Sequence, residues 1–134
     1  MVEMGEKKFS DVGGLKVGNY VLIDGFACQI RGIEKSKPGK HGSAKARITA
    51  FDIFTGQKKT LLKQTGAEAE VPIITKANGQ VVAVMGDKVQ IMDMETYQTF
   101  DTDNPKDIPG LKSGVEVEYN KWGSLVKIVR KKGG

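Results

Sequence analysis

The sequence has one cysteine, Cys28, and one histidine, His41. A single thiol excludes an intrachain disulfide and any cysteine-based zinc cluster. A single imidazole argues against a structural transition-metal site. Long hydrophobic runs are missing too. The longest aliphatic stretch, Val81 to Met85, falls far short of the roughly 20 apolar residues that cross a bilayer as a helix. The opening "MVEMGEKKFSD" contains no apolar segment of signal-peptide type, so a cytoplasmic protein without a membrane partner is expected. Nor does any long helical period run through the chain. What remains is 134 residues with 39% hydrophobic content, enough for one ordinary domain or two very small ones.

Negative charge is scarce in one place. Between residues 31 and 47 stand Arg31, Lys35, Lys37, Lys40, Lys45 and Arg47, against Glu34 alone. Six positives against one negative equal the whole formal net charge of +5. Excess charge concentrated in one segment points to a single polyanion-facing site rather than to general solubility.

Strand signals dominate the rest. "YVLI" (20–23) meets Asp24-Gly25, a tight-turn dipeptide. "FACQIRGIEK" then alternates, with Phe26, Cys28 and Ile30 expected inward and Gln29 and Arg31 outward. "AKARITAF" alternates again, with Ala46, Ile48 and Ala50 inward and Arg47 and Thr49 outward. These two strands and the basic segment 36–43 predict a long hairpin with Lys40 at its tip. "FTGQKKTLL" continues through the turn Thr55-Gly56.

Near residues 66–72 the text turns polar and small ("TGAEAEVP"), and a domain boundary is expected there. "VPIITKA" follows, then Asn78-Gly79 read as a turn, "QVVAVM", the turn Gly86-Asp87, and "KVQIMD". After "YQTFD" comes an irregular loop, "TDNPKDIPG". "VEVEY" alternates, with Val115, Val117 and Tyr119 opposite Glu116 and Glu118, and "SLVKIVRK" follows. About ten short strands punctuated by turns indicate an all-β chain. Two small closed barrels, over residues 1–70 and 73–134, fit better than one sandwich, because closure removes edge strands that so small a half could not protect. Five strands suit an OB-type barrel in the second half. No internal repeat is visible.

Several chemistries fail on spacing. "PGKHG" has Glu34 where a phosphate-binding P-loop needs glycine, and His41 where it needs Ser or Thr. Asp101, Asp103 and Asp107 resemble a calcium loop, but Lys106 and Lys112 occupy the positions that require glycine and glutamate. His41 has only Ser43 and Glu34 near it in sequence, a poor setting for a general base. Cys28 falls on an inward strand face and reads as a core residue. No catalytic and no metal-binding residue is therefore assigned.

Lys40 is different. Gly39 and Gly42 remove neighbouring side chains and permit positive φ, while Pro38 restrains the entry. One long cation is left to project from an open tip. On these grounds alone, a solvated basic hairpin and a deliberately displayed lysine both stay open.

The stretch "SKPGKHGSAKARITAFDIFTGQKK" resembles the signature of the translation initiation factor 5A family, hypusine-containing factors related to bacterial elongation factor P. The lysine-glycine hairpin, the following "AK" and the downstream "DIFTG" stand in register. Pro38 and Ser43 replace the threonine and histidine expected of eukaryotic members; with the short C-terminal domain, the chain looks archaeal. The resemblance covers the whole chain and implies an N-terminal SH3-like barrel followed by a C-terminal OB-fold barrel.

It also implies a function. Lys40 would receive an aminobutyl group from spermidine through deoxyhypusine synthase, giving deoxyhypusine or, after hydroxylation, hypusine. The factor would bind the ribosome, meeting rRNA and peptidyl-tRNA, and promote peptide-bond formation at stalls such as proline runs. It would be no enzyme, would need no cofactor beyond that modification, and is expected to be a monomer. Gly39, Gly42 and Pro38 would shape the tip. Lys37, His41, Lys45 and Arg47 would contact RNA or the modifying enzyme. The second half carries only +1 from residue 71 onward, nine positives against eight negatives, and no evident aromatic run for base stacking; it reads as a spacer. The alternatives are an unmodified general RNA-binding module and, more remotely, an enzyme using Lys40 as nucleophile, which lacks an accompanying acid or base.

Overall fold

The computed structural model describes residues 5–36 and 44–132. Eleven strands and one 3-10 turn are found there, and none of these residues forms a helix long and apolar enough to cross a membrane. The chain divides into two compact units, one of Gly5–Ile73 and one from Ile74 onward.

The first unit contains β1 (Lys7–Asp11), the 3-10 turn Val12–Gly14, β2 (Tyr20–Ile23), β3 (Phe26–Ser36), β4 (Lys45–Asp52), β5 (Lys58–Gln64) and β6 (Glu68–Pro72). β2-β3-β4-β5 form an antiparallel sheet, and β1 pairs with β6 in a ribbon beside β2. Asp24 and Gly25 both adopt positive φ, 53° and 82°, as a two-residue hairpin turn that matches strand twist demands. Inside lie Val12, Val21, Ile23, Cys28, Ile30 and Ile48, a curled SH3-like sheet wrapped on one core.

The second unit contains β7 (Thr75–Met85), β8 (Lys88–Asp93), β9 (Thr99–Asp103), β10 (Glu116–Trp122) and β11 (Leu125–Lys131), in the sheet order β11-β10-β7-β8-β9. That is the order of a five-stranded OB barrel. Its two end strands meet: the Thr102 hydroxyl donates to the Val126 carbonyl at 2.7 Å, closing the curl over Val81, Val89, Ile91, Val117, Tyr119 and Ile128.

Three sequence expectations change. Asn78-Gly79 is not a turn; both residues lie within β7. A Cβ on Gly79 would stand 3.2 Å from the Met92 carbonyl oxygen and 3.4 Å from the Tyr119 ring, so the glycine serves close approach rather than chain reversal. Phe26 is not inward but 42% exposed. The β3–β4 ladder ends at Cys28↔Asp52, so Phe26 lies past its cover, and the Lys59 ammonium sits 4.2 Å from its ring centroid. The polar segment read as the junction is itself β6, in register with β1 from Glu68↔Asp11 to Pro72↔Lys7.

A repeat hidden from the sequence also emerges. In the first unit Asp52 Oδ1 accepts from the Phe54 and Thr55 amides at 2.8 and 3.2 Å, and Thr55 Oγ1 accepts from Gln57 at 3.3 Å. In the second, Asp93 Oδ1 accepts from Glu95 and Thr96 at 2.8 and 2.9 Å, and Thr96 Oγ1 accepts from Gln98 at 3.3 Å. The fifth residue of each frame has positive φ: Gly56 at 80°, Tyr97 at 62°. The likeness extends upstream. The Gln29 side chain donates to the Gly18 carbonyl and Gln80 to Gly114, both at 3.3 Å. Ladder shifts fall at Ile30/Gly32 and Val81/Ala83. Sheet β2-β3-β4-β5 thus corresponds to β10-β7-β8-β9, with the first strand moved from before the others to after them.

Candidate functional site

The basic segment is carried by the longest strand of the first unit. Glu34↔Arg47, Lys35↔Ala46 and Ser36↔Lys45 are the last rungs of the β3–β4 ladder. The chain that joins Ser36 to Lys45 therefore leaves from the end of a continuous two-stranded stem. Lys37, Pro38, Gly39, Lys40, His41 and Gly42 lie outside the described residues; Lys45 and Arg47 lie within them.

Alternation sets the direction of those two cations. Ala46, Ile48 and Ala50 are fully buried, so period-2 geometry sends Lys45 and Arg47 to the opposite face, where both are exposed. Arg47 stands between Glu34 on β3 and Leu62 on β5, and Lys45 between Ser36 and Gln64. Leu62 is 63% exposed, so this face presents cations beside an apolar side chain. Among the described residues, neither Lys45 nor Arg47 forms an ion pair.

The root of the stem is braced from a third direction. The Lys35 ammonium donates to the Gly13 carbonyl at 3.2 Å. The Gly13 amide donates to the Thr65 carbonyl at 2.8 Å, and the Thr65 amide to the Ala44 carbonyl at 2.9 Å. The 3-10 turn, β3 and the end of β5 are thereby tied together where the basic segment begins. A Cβ on Gly13 would stand 3.1 Å from the same Thr65 carbonyl oxygen that the Gly13 amide holds. Sequence reasoning missed this brace. Its trace was the pair Gly13-Gly14, too common a pattern to interpret without a partner.

Two titratable groups away from the stem, Cys28 and Asp103, are engaged within the fold. Cys28 is fully buried. Burial, and then the nearby Asp52 carboxylate, push its thiol up to about 11, so little of the nucleophilic thiolate exists at neutral pH. The Cys28 thiol donates to the Phe26 carbonyl at 3.4 Å. In the second unit Asp103 is engaged by the Lys88 ammonium. A cavity of about 450 Å³ borders the β7–β8 turn and the loop of Asn104, Pro105, Lys106 and Ile108.

Two small barrels, the first with a basic outer face at the end of its β3–β4 stem, define a two-barrel β-protein. The chain belongs to the translation initiation factor 5A family. The family described as "Translation initiation factor 5A-like, N-terminal" matches residues 7–66. Translation initiation factor 5A of Methanococcus maripaludis is 50% identical over 127 residues, covering 95% of this chain and 97% of the relative. That of Sulfurisphaera tokodaii is 51% identical over 128 residues, covering 93% and 98%. The solved eukaryotic translation initiation factor 5A from Methanococcus jannaschii superposes with a TM-score of 0.87 at 48% identity, covering 97% of this chain and all of that one. A translation initiation factor eif-5a family protein from Naegleria fowleri superposes at 0.73 with 32% identity, covering 95% and 99%. These relatives are named as translation factors, not as enzymes.

Proposed function

We propose that this translation factor acts through Lys40, carried as deoxyhypusine or hypusine, beside peptidyl-tRNA on the ribosome. The aminobutyl group comes from spermidine through deoxyhypusine synthase and lengthens the cationic arm. On the ribosome the arm reaches the acceptor end of the tRNA and favours peptide-bond formation where substrate geometry is poor, as in proline runs. The factor contributes positioning and charge to the ribosome's own reaction.

The observation that supports this most is the braced stem, with Lys45 and Arg47 exposed on its outer face and in no ion pair among the described residues. A long flexible cation does useful positioning only from a root that does not move. Its neighbours then supply phosphate contacts from the same rigid sheet. On this reading Lys37 and His41 join Lys45 and Arg47 as contacts to RNA or the modifying enzyme, while Pro38, Gly39 and Gly42 shape the tip.

Intact-mass measurement and peptide mapping of protein purified from its native source test the reading. An aminobutyl-sized or hypusine-sized addition on Lys40 is expected. An unmodified lysine in the native protein would mean that the chain is a plain RNA-binding module.

A further inference from the structure

We propose that the Asp93–Gln98 loop of the second barrel is a docking point for a basic protein segment, with an arginine guanidinium stacked on Tyr97 and paired with Glu95. Asp52–Gln57 and Asp93–Gln98 share their hydrogen-bond frame, and the fifth residue of each lies at positive φ. The first unit places Gly56 there. The second places Tyr97, at a cost of roughly 1–2 kcal/mol for a side chain in the left-handed region.

The loop's backbone holds this conformation, the Tyr97 amide donating to the Asp93 carbonyl at 3.0 Å, but the side chain contributes nothing to offset the cost. Tyr97 is 69% exposed, and its side chain takes part in no hydrogen bond or ring contact among the described residues. A strained backbone that presents an idle, exposed aromatic ring singles out this position. Met94, 38% exposed, adds apolar surface in the same loop.

Charge decides the partner. Between Lys88 and Lys106 the chain has no lysine or arginine and four carboxylates, Asp93, Glu95, Asp101 and Asp103. Tyr119 engages Asp93 and Lys88 engages Asp103, which leaves Glu95 and Asp101, both exposed. Such a surface repels a phosphate backbone and attracts a cation. An arginine satisfies both the ring face and the carboxylate, because its planar head stacks and forks where an ammonium does not.

The test needs no modified lysine, so its outcome is separate from that of the Lys40 reading. The full chain is titrated, with amide and ring resonances followed, against three probes: a nine-residue alternating arginine-glycine peptide, its lysine counterpart, and nine-nucleotide oligouridine. The arginine peptide is expected to shift Tyr97 and residues 93–98, binding about 3-fold tighter than the lysine peptide. Tyr97→Phe should keep the affinity and Glu95→Gln weaken it. Tyr97→Gly should weaken it about 3-fold while the melting temperature rises, since glycine suits the backbone. A purely structural tyrosine would lower both. The proposal is overturned if oligouridine shifts the loop in place of the peptide, if the two peptides bind alike, or if Tyr97→Gly leaves affinity unchanged.

Discussion

The Tyr119 hydroxyl donates to the Asp93 carboxylate across Gly79 inside the second barrel. In the first barrel the equivalent places are held by Ile23, Asp52 and Cys28. The exchange is coordinated. Where the strand residue opposite the aspartate is glycine, a tyrosine ring fits over it and reaches the carboxylate. Where it is cysteine, the third residue is aliphatic and the thiol fills the space.

This pair gives the second barrel a pH signature. The Tyr119 hydrogen bond, followed by the Thr96 amide, holds Asp93 below the usual carboxylate range. A depressed folded pKa contributes stability above the unfolded value of about 4, lost as pH falls through the folded value. Burial, then Asp93, pushes Tyr119 upward. A raised folded pKa contributes stability fully present below the unfolded value of about 10, lost on passing upward through the folded one. Tyr119→Phe should flatten both ends of the profile and cost about 1–2 kcal/mol by stranding a buried carboxylate oxygen. Melting temperature against pH for both proteins checks this.

The paired loops predict opposite signs for opposite substitutions. Gly56→Ala should destabilise by about 1 kcal/mol, since alanine must enter the left-handed region. Tyr97→Gly should stabilise by roughly 0.5–1 kcal/mol, part of the relieved strain being offset by glycine's greater unfolded entropy. Urea denaturation of the three proteins reads both; matching signs would refute the equivalence of the frames.

Gly13→Ala should loosen the hairpin root. The added Cβ presses on a backbone oxygen, and overpacking of this kind costs about 1–3 kcal/mol. Amide exchange should speed up at residue 13 and Thr65, whose amides donate within the brace, before it does in β7–β11. Uniform acceleration would mean that the brace is not local.

If the hairpin meets RNA phosphates with about four cations, log affinity for tRNA should fall against log salt with slope near −3 to −4. Replacing Arg47 by Gln should reduce that slope by about one unit. A flat salt response would remove the hairpin as the electrostatic contact.

Much of this architecture could be read before any coordinates. Ala46, Ile48 and Ala50 alternate so cleanly with Arg47 and Thr49 that the outer face of the stem followed from period alone, and Asp24-Gly25 marked the turn between β2 and β3. Other features resisted for physical reasons. Asn78-Gly79 has turn chemistry, but tertiary contact with Tyr119 and Met92 overrides it. β6 is polar because only alternate residues face the core: Ala69 and Val71 are buried and Glu68 and Glu70 exposed. The repeat escaped notice because β10 comes after β7–β9 whereas β2 comes before β3–β5, and only scattered anchors such as Asp, Thr and Gln are shared. The brace at Gly13 joins residues far apart in sequence, which no local pattern reports.

The most direct measurement is a reconstituted translation reaction on a proline-rich message, with each variant first exposed to spermidine and the modifying enzyme. Lys40→Arg keeps the charge but cannot accept the aminobutyl group, and its planar head differs from an ammonium. Its folding stability should stay within about 0.5 kcal/mol of the parent, as for a surface substitution. Rescue of synthesis should nonetheless be lost, while Lys37→Arg retains most of it. If Lys40→Arg rescues synthesis as well as the modified parent does, the function proposed for this hairpin is wrong.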